Sequence, residues 1–146
     1  MSLQTDAIFI KALSQNADIT AIVGDQIYST AIPLPEEDAE NVDVPYIIVT
    51  FDGMQNDDFT KDCSYEGSSD KVQIGVTVVA GSRPDLAGLV ELVRTTVCTF
   101  FENIEQSDED FDLAPNDYTL TAQAVQYDDL KPCYWQVLNY NCDTNV

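Results

Sequence analysis

The stretch Lys71–Ile104, KVQIGVTVVAGSRPDLAGLVELVRTTVCTFFENI, changes its hydrophobic period once, and that change decides the fold. In its first part Val72, Ile74, Val76 and Val78 recur at every second residue, the spacing of one face of a β-strand. Ser82, Pro84 and Asp85 then supply a helix start: a hydroxyl that can cap bare N–H groups, a proline suited to the first turn, and a carboxylate at the positive end of the helix. From there Leu86, Leu89, Val90, Val93, Val97, Phe100, Phe101 and Ile104 follow a 3.6-residue period. The spacing predicts a strand followed directly by one long amphipathic helix.

Upstream, Pro45 opens a second strand in which Ile47, Val49 and Phe51 alternate with Tyr46, Ile48 and Thr50. Residues 52–70, rich in Asp, Ser, Gly and Asn, are too many for a tight turn and predict a mobile hairpin arm. Within it Gln55, Asn56, Asp57, Asp58 and Phe59 are the candidate contact residues. Nearer the N-terminus, residues 6–14 have a helix-permissive composition. Asp18 is placed to cap a second short helix through Ile19, Ile22 and Val23, stopped by Gly24. Residues 27–32 read as a short strand ended by Pro33, and the acidic residues 36–43 as a solvated loop.

Downstream, a further acidic segment, residues 105–117, leads to a strand over 118–127 with Tyr118, Leu120, Ala122 and Ala124 on its inner face. Asp128 and Asp129 turn the chain into a last strand over 133–142. Helices, strands, one long helix and two more strands make an α+β chain. The expected architecture is an antiparallel sheet of about four to five strands, with the long helix and the N-terminal helices packed on one face. No repeat or composition shift divides residues 1–146, so a single domain is expected. Apolar residues on both sides of the strands, Val78, Val79 and Val125 alongside Trp135, Val137 and Leu138, imply that the second face of the sheet is covered by something else, and a neighbouring subunit would suffice.

The charge is one-sided: 26 Asp and Glu against 6 Lys and Arg, with no His, give a formal net charge of −20. Such a surface repels nucleic-acid phosphates. Seven Tyr, six Phe and the Val/Ile runs argue against disorder. The first residues lack the basic and apolar regions of a signal peptide, and no window is apolar enough to span a membrane. Cys63, Cys98, Cys133 and Cys142 contain no CxxC pair and read as reduced thiols.

Without His a Ser or Cys nucleophile lacks its commonest base, and GxSxG, P-loop, GxGxxG and HExxH patterns are missing from the sequence. No catalytic, cofactor or metal residues are therefore assigned, and a non-enzymatic role is expected. Asp108, Asp110 and Asp112 have the opening spacing of a calcium loop. Leu113, however, stands where Gly is needed and Thr119 where a bidentate Glu is needed.

Residues 16–28, Asn-Ala-Asp-Ile-Thr-Ala-Ile-Val-Gly-Asp-Gln-Ile-Tyr, followed by Pro33 and by Val44-Pro45-Tyr46-Ile47-Ile48-Val49, resemble the N-terminal half of bacteriophage tail-completion (tail terminator, head-tail joining) proteins. The residues that carry the likeness are Val23, Gly24, Asp25, Ile27, Tyr28, Pro45 and Tyr46, and the order of elements extends it from about residue 6 to 142. The acidic segments 36–43 and 105–112 depart from the family pattern. The resemblance implies a structural protein of a phage or prophage that forms a ring with itself, commonly a hexamer. That ring caps the tail tube protein, ends tail polymerisation and presents a surface to the head-tail connector protein. It implies host cytoplasm during assembly and the virion tail or neck afterwards, with DNA passing through the ring without specific binding. Asp108, Glu109, Asp110 and Asp112 are the candidate lumen acids, since like charge around the DNA path minimises sticking. Two alternatives stay open: an acidic DNA-mimic inhibitor of a nucleic-acid-binding protein, and another neck or head-completion component.

Overall fold

The computed structural model of the chain describes residues 4–30, 44–57, 69–105, 107, 117–129 and 132–145. Two short helices lead, α1 (Thr5–Ser14) and α2 (Ala17–Val23), then strands β1 (Ile27–Ser29), β2 (Tyr46–Asp57) and β3 (Ser69–Ala80). The long helix α3 (Arg83–Asn103) follows, and β4 (Asp117–Ala122), β5 (Gln126–Asp128) and β6 (Cys133–Asn145) complete the chain. The strands lie in the order β1-β2-β3-β6-β4, with β5 also paired to β6. This is the α+β class expected, and among the described residues every pairing but one is antiparallel. The exception is β1, which runs parallel to β2 through Ile27↔Ile47, Tyr28↔Ile48 and Ser29↔Val49.

The helices form where the sequence supplies their caps. Ser82 accepts the Asp85 amide at 3.3 Å, with Pro84 in the first turn of α3. At α2 the cap is Asn16 rather than Asp18: its side-chain oxygen accepts the amides of Asp18 at 2.9 Å and Ile19 at 3.1 Å. Asp18 instead sits inside the first turn, where its charge still faces the positive helix end. Asn16 also donates to the Thr96 hydroxyl at 2.9 Å, which ties α2 to α3. Gly24 ends α2 at φ 64°, a conformation that a side chain would strain.

The core lies between the helices and one face of the sheet. Val72, Ile74, Val76 and Val78 are fully buried, as are Ile47, Val49, Leu138 and, on the helices, Phe9, Leu13, Ile19, Leu86, Val93 and Val97. Each such side chain contributes about 1.5–3 kcal/mol on leaving water, so the two stripes read from the sequence supply much of the stabilisation. Aromatic rings fill one end: Phe9 packs at 5.1 Å from Tyr140 and 5.2 Å from Phe101, and Tyr118 at 5.5 Å from Tyr140. The Tyr140 hydroxyl is buried without a hydrogen-bond partner among the described residues. Burial, reinforced by the neighbouring Tyr118, pushes its ionisation far above the usual range.

Three further sequence expectations change in detail. Ile22, expected on the apolar stripe of α2, is 46% exposed because Ile19 and Val23 alone face the core. The predicted single strand over 118–127 is two strands. Between Ala122↔Leu138 and Gln126↔Trp135 one side advances four residues while the other advances three, so an extra residue is bulged out. That slip inverts the alternation of side chains. Tyr118 and Leu120 therefore pack on the core as expected, whereas Ala122 and Ala124 are exposed. Finally, much of the predicted arm is ladder, since β2 and β3 stay paired out to Asp57↔Ser69. Gln55, Asn56 and Asp57 thus belong to a strand, while Asp58 and Phe59 lie outside the described residues, as does the loop 36–43.

Candidate assembly surface

The face of the sheet turned away from the helices is built by the residues that alternate with the core stripes. One row across it reads Tyr46, Val79, Trp135 and Gln126; the next Tyr28, Ile48, Thr77 and Val137; the next Thr50, Gly75, Asn139 and Thr121. No side chain in these rows is charged, in a chain that carries 26 acids. The first two rows are largely apolar, and Tyr28 and Tyr46 pack ring to ring at 6.4 Å. Val79 is only 4% exposed and lies between Tyr46 and Trp135 on the neighbouring strands. Burial, with Cys133 and Asp128 close by, raises the Tyr46 hydroxyl above its ordinary pKa.

Charge returns only at the margins of this field. Asp52 is the extra residue of a bulge between Phe51 and Gly53, and its carboxylate accepts the Thr50 hydroxyl at 2.8 Å. It lies across the backbone of Gly75, where an added Cβ would stand 2.5 Å from Asp52 Oδ2 and 2.7 Å from Thr50 Oγ1. Gly75 is thus the residue that lets the carboxylate fold down onto the sheet. Beyond it, Lys71, Asp143 and Asp117 share a charged row.

The residues of the Val-Gly-Asp-x-Ile-Tyr phrase are brought together with Pro45 and Tyr46, and their work here is constructional. Val23 is buried, Gly24 turns the chain, and Ile27 and Tyr28 pair beside Ile47 and Ile48. Gln26 donates its side-chain amide to the Pro45 carbonyl at 3.2 Å, and the Ile47 amide donates to the Gln26 carbonyl at 3.0 Å. Asp25 is exposed. The phrase therefore closes the one parallel pair of the sheet and sets Tyr28 at the corner of the uncharged field. The candidate lumen acids Asp108, Glu109, Asp110 and Asp112 lie outside the described residues. Among the described residues no group of three or more His, Cys, Asp or Glu is arranged to hold a metal ion, and no helix is long and apolar enough to cross a membrane.

A feature without a clear sequence signal is a groove of about 420 Å³ between α2 and α3, lined by Ile22, Pro45, Ala80, Gly88 and Leu89. The exposed Ile22 is its rim, and Gly88, with nothing within 4 Å of an added Cβ, keeps its floor low. The only hint in the sequence is the glycine itself, set in the middle of a helix where it weakens helical propensity.

No family model and no curated protein matches the chain. Among solved structures, it is similar to a chain of the virion of a native gene transfer agent (GTA) particle. The superposition has a TM-score of 0.56 at 13% identity and covers 97% of this chain and 94% of that one. At that identity the likeness is one of fold, carried through nearly the whole length of both chains.

Proposed function

We propose that this chain is a non-catalytic structural protein of a phage-type virion, and that it closes the head-proximal end of the tail tube as a ring of identical copies. The observation that carries the reading is the uncharged sheet face on a chain of net charge −20. Two copies so strongly alike in sign repel wherever their carboxylates meet, and the first two rows of this face, which carry none, are where close contact between the described residues is least opposed. The fold shared with a chain of a gene transfer agent virion supports a virion setting. The tail-completion phrase, which builds the corner of this face, supports the capping role. A closed ring leaves no unpaired edge on which tube subunits can continue to add, and its acidic copies repel the DNA that passes through the hole.

Salt dependence tests this reading against a DNA mimic. Between about 0.01 M and 1 M salt the screening length falls from about 30 Å to about 3 Å. Self-association through an uncharged patch should therefore strengthen as salt rises, which sedimentation velocity measures directly. A chain that stays monomeric at every salt concentration, and captures a basic nucleic-acid-binding protein more weakly as salt rises, would overturn the ring.

A further inference from the structure

Among the described residues strand β4 is an edge of the sheet, and between Asp117 and the bulge that follows Ala122 it carries neither the charge nor the proline that commonly oppose pairing with another chain. Residues 118–127, YTLTAQAVQY, are ten in a row without a charge, and they include no proline. The direction of the free groups follows from the hydrogen bonds. The Gln123 amide donates to the Val137 carbonyl of β6 at 2.9 Å, and N–H groups alternate in direction along a strand, so the amides of Tyr118, Leu120 and Ala122 point outward. That of Tyr118 is taken up by the Asp117 carboxylate at 2.8 Å. Those of Leu120 and Ala122 meet no acceptor among the described residues. On the inner side Leu120 is half-buried and Ala122 exposed, as at the end of a sheet that lacks its next strand. On the outer side Thr121 lies beside Asn139, so this edge is continuous with the uncharged face.

We infer that β4 is completed by an extended segment of a second copy of this chain, through backbone hydrogen bonds to Leu120 and Ala122. The inference rests on the ring reading and names one of its seams. The ring reading supplies the occupant and charge limits where it sits: a cationic partner would be drawn to the carboxylates, whereas a second chain of −20 meets least opposition at a segment without them.

The test separates backbone from side chain. Ala122→Pro removes one outward N–H and leaves the ladder to β6 intact, and it should weaken self-association about tenfold or more with the thermal transition little changed. Ala122→Ser keeps the amide and should associate as the unaltered chain does. In the unaltered protein, hydrogen exchange at the Leu120 amide should be slow in the oligomer and fast in the dilute monomer. That reading stands even if the proline variant folds poorly. Equal exchange at Leu120 in oligomer and monomer, or full association of Ala122→Pro, would overturn the seam while rings seen by electron microscopy left the ring reading in place. A chain that never self-associates overturns both.

Discussion

Thr77 occupies the middle of the uncharged face, with Ile48 on one side and Val137 on the other, and its side chain is half-buried in the isolated chain. Replacing it with Glu places a carboxylate where the reading requires contact between copies. In the separate chain that charge can still reach water, so the fold should lose no more than about 1 kcal/mol, the span of strand preference. In the assembled ring the same carboxylate is buried without a partner, which costs about 3–5 kcal/mol. At about 1.4 kcal/mol per decade, association should weaken roughly a hundred- to several-thousand-fold at each subunit interface that carries the substitution. Thr77→Val removes the hydroxyl without adding charge and should assemble at least as well as the parent. Sedimentation velocity over a concentration series, with thermal melts beside it, reads both quantities. If Thr77→Glu melts normally and assembles like the parent, this face is not the contact surface.

Three further outcomes follow from the packing. Gly75→Ala drives a Cβ into Asp52 and Thr50, so it should break the Thr50–Asp52 hydrogen bond and lower stability by about 1–2 kcal/mol in denaturant titration. Asp52→Ala in the same chain should recover part of that loss. Tyr140→Phe deletes a buried hydroxyl that has no partner and should leave stability unchanged or raise it by about 1 kcal/mol; a clear drop would show that the hydroxyl is satisfied. Burial pushes the Cys142 thiol from 9.0 up to about 12, and burial with a hydrogen bond donated to Cys98 pushes Tyr118 from 10.0 to about 12. The folded state thus holds these protons at pH values where the unfolded chain releases them. Stability is fully present below about pH 9 and should fall as pH rises towards 12, and Cys142 should resist alkylation until the chain unfolds.

The parts of the fold that were legible in the sequence are those where one period runs unbroken. The stripe Val72, Ile74, Val76 and Val78 and the helical series from Leu86 to Val97 are buried as read, because burial of a single face is what imposes those periods. What the sequence concealed turns on single residues. The bulge between Ala122 and Gln126 leaves composition untouched yet inverts every later side chain, so Ala124 could not be placed from alternation alone. The parallel pairing of β1 depends on Gln26 reaching Pro45, nineteen residues away, which no local pattern records. Asp18 and Asn16 are both good capping residues, and the choice between them is made by Thr96 on a distant helix. Of the candidate site, the two-sided apolar character of Val79, Trp135 and Val137 already pointed to a covered face. Its freedom from charge appears only once the strands are aligned in register.

The central claim is that copies of this chain close the end of a tail tube. Tail tubes assembled from the cognate tube protein, mixed with this chain and imaged by electron microscopy, give the most direct measurement. The account predicts a ring of density at one end of each tube and tubes that stop lengthening when fresh tube protein is added, with Thr77→Glu failing at both. Bare tube ends and unchecked growth in the presence of folded, saturating protein would contradict it.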